Sequence, residues 1–154
     1  MFTVTTPESM NRLGQFVATA LRAGDVVCLT GELGAGKTTF TRGLGAALDV
    51  RGTVTSPTFV IARTHKRSDG PALVHVDAYR LGSVGELDEI DIDWENSITV
   101  VEWGSTMLES LVDDWINIII ERSASDADDG RSVRVEPHGA RATEIAAHIE
   151  GWQG

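Results

Sequence analysis

The sequence predicts an α/β fold with three layers, in which helices cover both faces of a mainly parallel central sheet that includes one antiparallel hairpin. Two observations favour this class. Short apolar runs typical of buried strands alternate with segments of helical periodicity. A glycine-rich segment, residues 31–38, joins one such strand to the helix that follows it. The length of 154 residues fits a single domain over residues 1–154.

The first elements can be placed in order along the chain. Thr6 and Pro7 have the residue types of an N-cap and a first helical position, and apolar spacing continues this helix to about residue 22. Residues 26–30 form an apolar strand, and residues 39–48 have apolar side chains at helical spacing. Strand, glycine loop and helix therefore follow one another directly.

The later elements begin with the hairpin. Residues 59–65 and 72–77 are predicted strands joined by the polar turn 66–71, which is too short for a parallel crossover, so the pair should be antiparallel. The remaining predicted elements are helices at 84–92, 105–113 and 140–152, strands at 98–102, 115–122 and 132–136, and a polar turn at 123–130.

The glycine loop fits the pattern G-x-x-x-x-G-K-[ST] at each fixed position from Gly31 to Thr38. Backbone N–H groups of such a loop close around a polyphosphate, the lysine meets the β- and γ-phosphates, and the hydroxyl binds Mg²⁺. The sequence thus predicts a P-loop NTPase-like fold that binds ATP and Mg²⁺. The predicted nucleotide-binding residues are Glu32, Leu33, Gly34, Ala35, Gly36, Lys37, Thr38 and Thr39.

Two acidic residues lie where strands end. Asp77 ends the apolar run 72–76, and Glu102 ends the run 98–101. Because parallel strands end together at the ligand side of a sheet, both are expected beside the glycine loop. Lys37, Asp77 and Glu102 are the predicted catalytic residues, and Thr38, Asp77 and Glu102 the predicted metal ligands. Asp77 is favoured for the metal-bound water and Glu102 for orienting the attacking water, although the roles could be exchanged.

Other residues have weaker signals. The hydroxyls of Thr55, Ser56 and Thr58 lie at the distance from the glycine loop at which switch-type hydrolases sense the γ-phosphate, and a plain polar loop is the alternative.

Trp103 could pack internally or contact a base or partner, and Arg80 could bind phosphate or remain solvated. The four histidines lack metal-ligand spacing and receive no role, while Cys28 is expected to be buried and inert.

Composition restricts the partners and the compartment. The formal net charge of −10 argues against direct binding of a long nucleic acid, since such proteins usually carry a basic face. No apolar stretch approaches the length of a membrane span, and residues 1–8 lack the features of a secretory signal. We therefore expect a cytoplasmic protein without membrane contact.

Four segments together resemble one family. The glycine loop, Ser56-Pro57-Thr58-Phe59, the stretch 75–81 and Glu102-Trp103 occur in the order and spacing of the TsaE (YjeE) family. Two places differ: Gly104-Ser105 replaces the proline and acid of many relatives, and no motif matches from Ser123 onward.

The resemblance implies a bacterial ATPase of tRNA threonylcarbamoyladenosine (t6A) synthesis, with low turnover alone and stimulation by partners. It implies action with the TsaD–TsaB complex, which transfers threonylcarbamoyl to adenosine 37 of tRNA, so that tRNA is reached only through those partners. It also implies that Lys37, Thr38, Asp77 and Glu102 serve nucleotide, metal and hydrolysis.

Two other functions use the same loop. A small-molecule kinase needs an acceptor pocket and usually a lid bearing arginine, for which the short turn 66–71 is the candidate. A GTP-dependent regulatory switch would be expected to carry an N-K-x-D motif, which the sequence lacks, so ATP is preferred.

Overall fold

A computed structural model describes residues 2–32, 34–52, 54, 62–81, 83–122 and 130–154. Seven strands form one sheet in the order β1-β7-β6-β2-β5-β4-β3. The strands are β1 (Phe2–Val4), β2 (Val26–Thr30), β3 (Ala62–His65), β4 (Leu73–Asp77), β5 (Ile98–Glu102), β6 (Trp115–Arg122) and β7 (Arg131–His138). The helices are α1 (Pro7–Ala18), α2 (Lys37–Ala47), α3 (Val84–Glu89), α4 (Ser105–Leu111) and α5 (Ala140–Glu150).

The centre of the sheet is parallel. β6, β2, β5 and β4 run in one direction, with β2 between β6 and β5. Antiparallel strands flank this centre on both sides: β3 pairs with β4, as the short 66–71 turn predicts, and β7 pairs with β6. The second antiparallel pair, and β1 beyond it, were not predicted. The carboxyl ends of the four parallel strands lie at one edge, which we call the site edge.

Alternating side chains of the parallel strands enter two separate cores, which gives the predicted three layers. Val27 and Leu29 of β2 face the core formed with α1, α2 and α5. Val26 and Cys28 face the opposite core, which includes residues of α3 and α4. Both faces of β2 are therefore covered, as an apolar run without alternation requires.

The first helix begins as predicted and ends early. The Thr6 hydroxyl accepts a hydrogen bond from the Ser9 amide at 3.1 Å, and Pro7 is the first helical residue. The predicted end near residue 22 is wrong, because the amides of residues 19–21 bond carbonyls three residues back. The Thr19 hydroxyl also donates to the Phe16 carbonyl, at 2.6 Å.

Helices α3, α4 and α5 also end two or three residues before their predicted limits. Among the described residues, no helix has both the length and the apolar character needed to cross a membrane.

Helix α1 packs directly on α2, the helix that follows the glycine loop. Two glycines permit this close approach. A Cβ atom on Gly14 would lie 2.1 Å from the Phe40 carbonyl oxygen, and one on Gly43 would lie 2.0 Å from the Asn11 carbonyl oxygen. The backbones are thus in contact where any side chain would separate them, and this contact fixes α2 behind the loop.

Candidate nucleotide site

The glycine loop crosses the site edge between the end of β2 and the start of α2. Gly34 and Gly36 have φ values of +80° and +118°, a region that L side chains rarely adopt. The Ala35 amide donates to the Glu32 carbonyl at 3.0 Å and closes a tight turn. Gly36 is the N-cap of α2 and has no side chain with which to accept hydrogen bonds from the first-turn amides. Such a helix start favours an anion.

Lys37 is held against the loop that precedes it. Its ammonium group donates to the carbonyls of Gly31 and Glu32, the latter at 3.1 Å. The residue is only 7% exposed. Burial lowers the pKa of Lys37 below its usual 10.5, and the charges of Glu102 and Asp77 oppose that effect. The lysine and both predicted carboxylates therefore act on one another electrostatically.

Asp77 and Glu102 are direct neighbours across the parallel pair β4 and β5. Asp77 is half-buried, and its carboxylate accepts a hydrogen bond from the Tyr79 amide at 3.0 Å. Glu102 is 5% exposed. The predicted meeting of the two acids at one sheet edge is thus present in the structure.

His75 contacts Glu102, a relationship that sequence reasoning missed. The ring nitrogen Nε2 of His75 lies 2.7 Å from Oε2 of Glu102. His75 pairs with Val100, two residues before Glu102, so the histidine and the glutamate are diagonal neighbours. The sequence did contain a signal for this contact. Side chains alternate between the two faces of a strand, so His75 lies on the same face of β4 as Asp77.

Trp103 follows Glu102 with a left-handed backbone, at φ +62°. A non-glycine residue in this region is strained by about 1–3 kcal/mol. The Trp103 amide donates to the Leu29 carbonyl at 2.9 Å, which joins the end of β5 to β2. The indole ring lies 5.8 Å from the ring of Tyr79, which is exposed. An aromatic pair thus stands beside the two acids.

Two arginines from β6 and β7 contact the glycine loop from its other side. Arg122 donates to the Gly34 carbonyl at 3.3 Å, and Arg131 donates to the Ala35 carbonyl at 3.1 Å. Neither contact was predicted: Arg131 lies in the segment from Ser123 onward, in which no motif matches, and Arg122 ends the predicted strand 115–122, to which no role was given. These two hydrogen bonds join the glycine loop to β6 and β7.

An open cavity of about 150 Å³ adjoins the loop on this side. It is lined by Gly34, Ala35, Gly36, Thr39 and Arg131, together with Thr6, Pro7 and Met10 from the start of α1. Thr39, predicted as a nucleotide contact, therefore borders a concave space at the start of α2.

The side chains that could hold a metal ion at this site are one hydroxyl, that of Thr38, and the carboxylates of Asp77 and Glu102. Within the described parts of the chain, no three His, Cys, Asp or Glu residues form a metal cluster. Thr38 lies at the first turn of α2 and is half-exposed, close in sequence to Lys37. A hydroxyl and one or two carboxylates completed by phosphate oxygens and waters is the donor set typical of Mg²⁺.

Several predicted residues lie outside the description. Leu33 and residues 55–61, which include Thr55, Ser56 and Thr58, are not among the described residues, and neither is the side chain of Arg80.

Cys28 is buried, as predicted, and burial raises its pKa to about 11.

A mixed sheet with a parallel centre and a glycine loop between β2 and α2 defines a P-loop NTPase-like fold. A family model described as "Threonylcarbamoyl adenosine biosynthesis protein TsaE" matches residues 4–133. The chain therefore belongs to the TsaE family.

Named relatives agree with this assignment. The "tRNA threonylcarbamoyladenosine biosynthesis protein TsaE" of Streptomyces coelicolor is 55% identical over 137 residues, covering 86% of this chain and 93% of the relative. The protein of the same name from Bacillus subtilis is 34% identical over 123 residues, covering 78% and 76%. The crystal structure of Bacillus subtilis YdiB matches with a TM-score of 0.77 at 29% identity, covering 97% of this chain and 92% of that one.

Proposed function

We propose that the chain is a Mg²⁺-dependent ATPase of the cytoplasm that supports t6A modification of tRNA together with the TsaD–TsaB complex. The names of its relatives support the pathway. The candidate site supports the ATPase. The observation that carries this proposal is the pairing of Asp77 with Glu102 at the edge of the sheet where Lys37 follows the glycine loop.

Binding of the triphosphate would use the loop amides, the start of α2 and Lys37. The Lys37 ammonium already lies at the loop, and its two carbonyl partners are neutral acceptors. A phosphate oxygen is a stronger acceptor because it carries charge. The lysine would therefore transfer its hydrogen bonds to phosphate without a large change of position.

Thr38, Asp77 and Glu102 would hold Mg²⁺ or its waters. When bound, the ion neutralises charge on the phosphate oxygens. We assign the metal-bound water to Asp77, which is half-buried, and the orientation of the attacking water to Glu102, which is the more buried of the two. A carboxylate can hold a water by accepting its hydrogen bond.

The nucleoside would enter the cavity beside Thr39. Its lining combines the apolar side chains of Pro7 and Met10 with the polar groups of Thr6 and Arg131. Such a mixture suits a base and a ribose, whose faces are apolar and whose edges form hydrogen bonds.

The tRNA would be reached through partner proteins. A formal net charge of −10 opposes direct binding to a polyanion. We therefore assign tRNA binding to TsaD–TsaB and ATP hydrolysis to this chain, with turnover that rises in the assembled complex.

The alternative of a small-molecule kinase receives less support. Its candidate lid, the turn 66–71, joins the end of β3 to the start of β4, whereas the site lies at the end of β4. The Arg67 side chain donates to the Leu48 carbonyl at the far end of α2. The turn is therefore placed opposite the glycine loop and could not close over phosphates there.

Reconstitution tests the proposal. ATP hydrolysis should be slow for the chain alone and rise when TsaD–TsaB is added. With an activated threonylcarbamoyl donor supplied in every reaction, t6A should form on tRNA only when the wild-type chain and ATP are both present. Titration of the isolated chain with tRNA at physiological salt should show weak or no binding. Tight, salt-sensitive binding by the isolated chain, or no association with TsaD–TsaB in any nucleotide state, would contradict the proposal.

A further inference from the structure

His75 is a buried polar residue beside the candidate site. It is 0% exposed on the central strand β4. Its Nε2 lies 2.7 Å from Glu102, and among the described residues its Nδ1 has no hydrogen-bond partner. A buried polar atom without a partner costs free energy that an apolar side chain would not. Packing alone therefore does not explain a histidine here.

The hydrogen bond to His75 also restricts the Glu102 carboxylate. Within the described part of the chain, the Glu102 carboxylate makes one hydrogen bond, to the His75 ring. An ionised carboxylate only accepts hydrogen bonds, so the ring must carry its proton on Nε2. This bond limits rotation of the carboxylate about its last torsion, which is otherwise broad. Oε2 contacts the histidine, whereas Oε1 has no hydrogen-bond partner among the described residues and could accept one from a ligand.

We propose that His75 is a positioning residue that fixes the orientation of the Glu102 carboxylate toward the water or metal ion at the candidate site. This inference rests on the proposed function. It adds a residue outside the glycine loop and the two strand-end acids. The hydrogen bond plays the part of an outer contact that orients an inner ligand.

The test is a double-mutant cycle on the full chain. Two quantities are measured: the affinity for a fluorescent ATP analogue with and without Mg²⁺, and the single-turnover rate of ATP hydrolysis. His75→Leu removes the donor. His75→Gln keeps an N–H near the Nε2 position, while His75→Asn places its N–H nearer the backbone. Thr99→Val is the matched control, because Thr99 is buried on the adjacent strand β5 and its hydroxyl has no partner in the described chain.

The expected effect of each His75 variant depends on which quantity Glu102 controls. Whichever quantity Glu102→Gln lowers, His75→Leu should lower too, by roughly 10- to 100-fold. His75→Gln should restore most of the loss and His75→Asn should not, and Thr99→Val should match the wild type. In the Glu102→Gln background, His75→Leu should cause no further loss.

Three results would overturn the inference: an equal loss from His75→Leu in both backgrounds, equal behaviour of the Gln and Asn variants, or no effect of Glu102→Gln on either quantity. If His75→Leu does not fold, the comparison of Gln with Asn decides, since both are polar amides. Failure of the proposed function is separate, because it would appear as equal ATP binding by the wild type and Lys37→Ala.

Discussion

The ammonium nitrogen of Lys37 lies over the indole ring of Trp103, 5.0 Å from its centroid. This distance is within the range of a cation–π contact. The two residues come from separate segments, the glycine loop and the end of β5. Their contact, and the hydrogen bond from Trp103 to the end of β2, bring the loop and the strand-end acid Glu102 into one arrangement.

Removal of the lysine should abolish productive ATP binding while the fold is retained. In Lys37→Ala the phosphates lose a fixed cation. Burial of the ammonium group costs free energy in the folded protein, and the substitution removes that cost, so the loss of stability should be small. Isothermal titration with ATP and Mg²⁺ and urea unfolding measure the two effects. Lys66→Ala is the matched control, since Lys66 is the chain's other lysine and is exposed at the opposite end of α2. ATP binding by Lys37→Ala at the wild-type affinity would remove the lysine from the site.

Substitution of the two acids should separate their roles. Asp77→Asn should weaken Mg²⁺-dependent binding of nucleotide, because it removes a charged ligand of metal-bound water. Glu102→Gln should leave binding intact and slow hydrolysis by roughly 10²- to 10⁴-fold, as expected for loss of a general base. Equilibrium binding with and without Mg²⁺, and single-turnover hydrolysis, distinguish the two outcomes. The opposite pattern would exchange the roles of Asp77 and Glu102. Wild-type behaviour of both variants would exclude both residues from the site.

The sequence was sufficient to predict the site's central elements. The motif at Gly31–Thr38 has fixed spacing, and the apolar runs before Asp77 and Glu102 mark their strands, so the rule that parallel strands end together brought the acids together. These signals are local, and each can be read within a few residues.

Contacts between distant segments could not be predicted in the same way. The bond from His75 to Glu102 depends on the register of β4 against β5, and that from Arg131 to Ala35 depends on the position of β7. Strand β1 has three residues and little periodicity of its own, and it is defined by its pairing with β7. Tertiary pairing, which a single sequence does not specify, decides these features.

The thiol of Cys28 should be unreactive in the folded chain and should make stability fall at high pH. Burial raises its pKa from 9.0 to about 11, so the folded protein keeps the thiol protonated where the unfolded chain ionises. Stability should therefore decline between about pH 9 and 11, by up to roughly 3 kcal/mol for this group. Urea unfolding of the wild type and Cys28→Ala across that range measures the difference, which should shrink as the pH rises. Rapid reaction of the native thiol with a disulfide reagent at pH 8 would contradict the burial.

Alanine at the two contact glycines should destabilise the chain, and alanine at a third glycine should stabilise it. In Gly14→Ala and Gly43→Ala the new methyl group would meet a backbone carbonyl of the facing helix at 2.1 or 2.0 Å, and α1 must then move away from α2. We expect a loss of roughly 1–3 kcal/mol or more.

Gly85 is the matched control, because it is exposed within α3 and its nearest neighbour to a new Cβ is the Ser83 hydroxyl at 3.7 Å. Gly85→Ala should gain about 0.5–1 kcal/mol from helix propensity alone. Urea midpoints at unchanged m-values measure all three variants. Because α1 supports α2 behind the glycine loop, the two destabilised variants should also bind ATP more weakly under native conditions. Unchanged midpoints for both would show that the helices do not approach as closely as these glycines permit.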